Sequence, residues 1–152
     1  QLPVAWTIII NGPPSRQVGD NNNYGGSVTF KGGQNGENLI NAELTLHVYN
    51  ASTGAEIKKG PYTITNEFPA GQGKANEQIS FNLLQNGISV DYFWSITWNE
   101  PGVSGAYRLK IYATGTGQLS GKTYSVWSDV KCNGITTNCN TGDAWLDVTV
   151  NP

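Results

Sequence analysis

Apolar residues fall on every second position through most of this chain, beginning with QLPVAWTIII, where Leu2, Val4, Trp6, Ile8 and Ile10 share one side. Side chains two apart share a face in a strand, so the alternation predicts β-structure with one apolar face. The same period returns at Val28 and Phe30, at Ala42, Leu44, Leu46 and Val48, and at Ile79, Phe81 and Leu83. The longest run is ISVDYFWSITW, in which Ile88, Val90, Tyr92, Trp94, Ile96 and Trp98 are expected to face inward. Tyr107, Leu109, Ile111 and Ala113 follow, then Tyr124 and Val126, then Ala144, Leu146, Val148 and Val150. No segment carries the 3.6-residue stripe of an amphipathic helix, and Gly or Asn-Gly signals interrupt the chain about every 8–12 residues. The expectation is an all-β fold, an antiparallel two-sheet sandwich of about 7–9 strands. GDNNNYGG and KGGQNGEN read as loops or turn clusters within it.

The first strand poses the functional question. Chain ends fray unless something ties them down, and this one is too apolar to be left in water. Residues 1–12 therefore read as an apolar strand set apart from a sandwich domain over 13–152. Leu2, Val4, Trp6, Ile8 and Ile10 fill either a groove of their own molecule or the groove of a neighbour, as in fibres built by donor-strand complementation. Gly12-Pro13-Pro14 would act as a stiff arm that keeps the strand from folding straight back, and Ile9 makes its second side apolar too. In that reading the partner is a further copy of the chain, in a homopolymer.

Composition narrows the remaining classes. A chain of 152 residues is one domain's length. Only 13% of residues are charged and the net charge is −2, which gives neither nucleic acid nor an anionic membrane an electrostatic handle. No run approaches the ~18 apolar residues of a membrane span. The absence of Met and the start at Gln1 suggest a mature product whose targeting segment has been removed. Cys132 and Cys139, in CNGITTNC, suit a disulfide across a loop and an oxidising compartment. They lack C-x-x-C redox spacing and have no second pair for zinc. Asn50-Ala51-Ser52 is a glycosylation sequon at a predicted turn, so a secreted or cell-surface location is expected.

NEPGVSGAYRLKIYATGTG resembles the E–F corner and F strand of immunoglobulin-like domains of secreted and cell-surface proteins, with Tyr107 placed as a tyrosine corner. Leu109 stands where antibody domains carry a cysteine. LTLHVYNASTGAEI is similar to a hairpin of such domains. The resemblance implies an immunoglobulin-like sandwich, lacks the antibody Cys…Trp…Cys spacing, and leaves function open, since the fold hosts many.

Enzyme chemistry finds little support, and no catalytic residue is nominated. The single histidine, His47, falls on the outward side of its strand. No nucleophile elbow, zinc-protease motif or phosphate loop occurs, and the acids are scattered. Asp20 to Asn23 gather oxygen donors of the kind calcium uses but without EF-hand spacing, so an Asn-rich polar loop is the reading and bound calcium the alternative. No cofactor or metal is expected. Aromatics on the wrong side of their strands are more telling: Phe93, Trp127, Trp145, Tyr49 and Tyr112 all fall opposite the core set. Either the molecule itself covers them, or they anchor a subunit contact, or they stack on sugar rings. The sequence thus points first to an extracellular structural or adhesive protein, a filament or pilus subunit assembled through its first strand. A carbohydrate-binding module or lectin is the alternative.

Overall fold

The computed structural model describes residues 2–57, 62–65, 78–99 and 103–152. Its strands are β1 (Leu2–Asn11), β2 (Ser15–Gln17), β3 (Asn21–Gly33), β4 (Leu39–Asn50), β5 (Tyr62–Thr65), β6 (Gln78–Leu84), β7 (Val90–Trp98), β8 (Gly105–Gly117), β9 (Thr123–Trp127), β10 (Cys139–Asn140) and β11 (Leu146–Asn151). They form two sheets, ordered β10-β1-β3-β7-β5 and β2-β11-β8-β4-β6, with β9 beside the second half of β8. The alternating apolar faces predicted from sequence meet between the sheets, where Trp6, Trp94, Trp98, Tyr24 and Phe30 are the largest wholly buried side chains.

Seven of these strands reproduce an immunoglobulin order. Taking β1, β3, β4, β5, β7, β8 and β11 as A to G, one sheet reads A-B-E-D and the other C-F-G. Tyr107 lies near the start of β8, the F position, and its hydroxyl donates to the carbonyl of Val103, as a tyrosine corner requires. The expected all-β, immunoglobulin-like sandwich is therefore the fold. The added strands are β2 along β11, β6 along β4, β9 along β8 and β10 along β1.

Local chemistry explains where the period-two reading slips. GDNNNYGG is not a loop throughout: Asn21 to Gly26 continue β3, because the long β7 supplies backbone partners from Asn21↔Thr97 to Gly26↔Tyr92. Asn41, at φ 51°, interrupts the alternation of β4, so that Leu39 and Ala42 both point inward although three apart. On the neighbouring β6, Leu84 is then buried and Leu83 turned outward, against expectation. Ile88 is also exposed, because β7 begins only at Val90, after a turn at Asn86 and Gly87.

The first strand occupies a place in the first sheet, between β10 and β3. It pairs antiparallel with β3 from Trp6↔Phe30 to Asn11↔Gly25, and buries Val4, Trp6, Ile8 and Ile10 in the common core. Leu2 is exposed. The chain then crosses to the other sheet through Gly12, Pro13 and Pro14, and β2 pairs in parallel with β11. Gly12 lies on the ring of Tyr24, where a Cβ would come within 2.3 Å of the ring, so only glycine permits this crossing. The Tyr24 hydroxyl donates to the Pro13 carbonyl at 3.3 Å and fixes the arm from above.

Cys132 and Cys139 form the expected disulfide. It closes a loop that delivers β10 to the edge of β1. By loop-closure entropy, removing it with Cys132→Ser and Cys139→Ser should lower stability by about 2.5 kcal/mol, read as a fall in the urea midpoint.

Candidate functional site

The first strand sits in a groove with two walls. On one side β3 provides a regular antiparallel ladder. On the other, residues 137–143 run alongside and bond to alternate residues of β1. The amides of Asn138, Thr141 and Asp143 donate to the carbonyls of Val4, Trp6 and Ile8 at 2.7, 2.8 and 2.7 Å. In return, the amides of Val4, Ile8 and Ile10 donate to Thr137 Oγ1, Asn140 Oδ1 and Asp143 Oδ2 at 3.2, 2.9 and 3.1 Å. This wall uses side-chain oxygens where a regular strand would use carbonyls. A Cβ on Gly142 would stand 2.1 Å from the Ile8 carbonyl oxygen, so the close approach of this wall depends on glycine.

Asn140 organises the second wall. It is wholly buried, and all four of its side-chain hydrogen-bonding positions are used. Oδ1 accepts from the amides of Ile8 and Gly142, while Nδ2 donates to the carbonyls of Ser128 and Asp143 at 2.8 and 3.0 Å. One amide group thus joins β1, the end of β9 and the turn leading to β11. Sequence reading missed it, because nothing in CNTGD distinguishes a buried asparagine from a turn residue.

The floor of the groove continues to a second buried polar group. Trp6 meets Phe30 edge-on at 5.0 Å, Phe30 meets Tyr124 at 5.2 Å, and the Tyr124 hydroxyl donates to Glu37 Oε2 at 2.8 Å. The Glu37 carboxylate has no cation against it among the described residues. It accepts instead from the amides of Leu119 and Ser120 at 2.8 Å, the Ser120 hydroxyl at 2.7 Å and the Gln34 amide at 3.2 Å. Burial alone would raise this carboxyl, but the bonds from Ser120, Tyr124 and Leu119 outweigh burial and bring it down from 4.5 to about 2. The unfolded chain then binds the extra proton first, so this contribution to stability is full above about pH 5 and is lost as pH falls toward 2. The unfolding free energy should therefore drop between pH 5 and pH 2.5, and Glu37→Gln should flatten that drop while lowering stability at pH 7 by about 3 kcal/mol.

The outward aromatics divide between the two faces. Phe93 lies half-buried on the outer side of the β3-β7 sheet, opposite Gly25 in register. Tyr49, Tyr112, Trp127 and Trp145 converge on the outer side of the other sheet. There the Arg108 guanidinium stacks 4.0 Å beneath the Trp145 ring, and its Nε donates to Asp147 at 2.9 Å. The Lys110 ammonium lies 4.9 Å from the Tyr49 ring and 4.8 Å from the Trp127 ring, and bonds Asp129 at 3.2 Å. Trp127 is further covered by His47 at 4.7 Å and Tyr112 at 4.9 Å, and His47 bonds Glu56 at 3.1 Å. Trp127 is thus largely enclosed by its own neighbours. Trp145 is 43% exposed and borders an open depression shared with Tyr49, Asn50, Arg108, Lys110 and Asp129.

The other oxygen-rich stretch is used structurally. Asp20 Oδ2 accepts from the Gln17 amide, and Asn23 Oδ1 from the Ser95 hydroxyl. Among the described residues, no group of three or more His, Cys, Asp or Glu could hold a metal ion, and no helix is long and apolar enough to cross a membrane.

No protein-family model matches the chain, and no curated protein matches it. Among solved structures, it is similar to the CARDB domain of a Pyrococcus furiosus protein, determined in complex with di-metal ions. Identity is 17%, coverage is 99% of this chain and 88% of that one, and the TM-score is 0.49. It is also similar to a cohesin module of a family 33 glycoside hydrolase from Clostridium perfringens, at 17% identity, 99% and 98% coverage and a TM-score of 0.49. Likenesses at this level carry no information about ligand or activity.

Proposed function

We propose that the chain is an extracellular structural or adhesive subunit that polymerises by seating β1 in the groove of a second copy. The observation that carries this is the two-walled groove: β1 is bonded along both edges and buries four large apolar side chains, and the short arm Gly12, Pro13 and Pro14 links it to β2. Because the donor is the chain's own strand, every contact it makes within one molecule is available unchanged between two. Burial of each large side chain contributes roughly 1.5–3 kcal/mol in either arrangement. What tips the balance is concentration against the tether, the arm Gly12-Pro13-Pro14 that leads from β1 to β2. Donation is head-to-tail, so it propagates as a filament unless the rotation closes a ring. The disulfide suits an oxidising, extracellular setting.

Electron microscopy and solution sizing of the full chain and of a chain lacking residues 1–11 test the proposal. The full chain should form filaments with rising concentration. The truncated chain should form none, should be far less stable, and should regain stability when the peptide QLPVAWTIIIN is added. A full chain that stays monomeric at millimolar concentration would overturn it.

The exposed Trp145 favours a second reading, a carbohydrate-binding face, in which the indole stacks on a sugar ring and the paired charges of Arg108, Lys110 and Asp129 read hydroxyls. Retention on insoluble polysaccharide that disappears in Trp145→Ala is the result it requires.

A further inference from the structure

Asn50 stands at the rim of the depression beside Trp145, and it heads the sequon Asn50-Ala51-Ser52. Its side chain is held by one end only. Oδ1 accepts from the amides of Ser52 and Thr53 at 2.9 and 3.1 Å, closing a turn, while Nδ2 has no hydrogen-bond partner among the described residues. Ala51 to Ala55 are exposed, so the turn can be reached by an enzyme. The free amide nitrogen and an exposed indole thus border one depression, whose other lining includes Tyr49, Lys110 and Asp129.

We propose that Asn50 is N-glycosylated and that the first sugar of the attached glycan is seated in this depression, stacked on Trp145. In the modification, Asn50 Nδ2 forms a bond to the anomeric carbon of an N-acetylhexosamine. The bond from that carbon to the pyrophosphate of a lipid-linked oligosaccharide breaks, the pyrophosphate leaves with the electron pair, and the amide loses one proton. The attached sugar then begins within one ring's length of the depression, and tethering removes most of the entropic cost that a free sugar would face there. The outer face of this sheet is accordingly a seat for the chain's own glycan, and the exposed Trp145 acquires a covering. The inference rests on the extracellular reading given above.

Secretion of the full chain from a host with N-linked glycosylation tests it, with Ser52→Ala as the unmodified control. That substitution spares the turn, because Ser52 contributes its backbone amide. The Asn50 peptide should carry a hexosamine-based mass increment that Ser52→Ala lacks. The glycosylated chain should melt about 3 °C higher than Ser52→Ala, a difference that vanishes when both carry Trp145→Ala. In the unsubstituted protein, oxidation of Trp145 by N-bromosuccinimide should be several-fold slower with the glycan than without it. An unmodified Asn50 in secreted material would overturn the inference and leave filament assembly untouched. So would a modified Asn50 whose glycan changes neither melting nor Trp145 oxidation.

Discussion

Trp6→Ala should lower the unfolding free energy by about 4 kcal/mol, the cost of removing a wholly enclosed indole from a close-packed interior. Trp6 occupies the middle of the groove, edge-on to Phe30 at 5.0 Å. That ring leads through Tyr124 to the Glu37 carboxylate, so the cavity left behind adjoins side chains held in place by hydrogen bonds. Such surroundings relax poorly, and a site that cannot collapse keeps most of the cavity penalty. Val4→Ala, nearer the end of the strand, should cost less. Urea unfolding at pH 7 measures both. In a filament the same substitution weakens the joint between subunits rather than the fold of one, so Trp6→Ala should also raise the concentration at which polymer first appears.

The second large effect is expected at Asn140. Asn140→Ala strips partners from the amides of Ile8 and Gly142 and from the carbonyls of Ser128 and Asp143, all at a buried position. Each orphaned buried group costs about 1–3 kcal/mol, and a water entering the vacated space recovers part of this, leaving a net loss of about 4 kcal/mol. Asn140→Asp should be nearly as damaging, because a carboxylate cannot donate to the two carbonyls that Nδ2 now serves. Hydrogen exchange gives the sharper readout. The Ile8 amide should lose protection in both variants, while the amides of β4 and the adjoining part of β8 stay protected to the extent that global stability allows.

These two residues show what periodicity can and cannot reveal. Trp6 was legible because burial in a strand recurs every second residue, and apart from Leu2 and Ile88 the inward sets of β1, β7, β8 and β9 follow that rule. The rule failed where backbone geometry changed its phase. Beside Asn41, in a left-handed conformation on β4, Leu83 and Leu84 of β6 exchange sides while Ile79 and Phe81 keep theirs, and the turn at Gly87 removed Ile88 from its strand. Asn140 and Glu37 were not legible, since their burial depends on long-range partners, Ile8 for one and Ser120 for the other, that local sequence does not encode. The outward aromatics lie between these cases. Tyr49, Tyr112 and Trp127 lie on the outer side of their strands, and Trp145 lies just ahead of β11. Their convergence on Arg108 and Lys110, and the separation of Phe93 from them, came from strand order. That order also shows that Gly12-Pro13-Pro14 carries the chain between sheets, a role an arm for donation and an ordinary crossing both require.

Cross-linking decides between those two most directly. Thr7 of β1 and Thr29 of β3 face each other in register. A Thr7→Cys, Thr29→Cys chain, concentrated and then oxidised, should run on a denaturing gel without reductant as a ladder of covalently joined multimers, because each bond links one subunit's strand to its neighbour's groove. Bonding confined to single chains, with no ladder at any concentration, would place β1 permanently in its own groove and contradict assembly by strand donation.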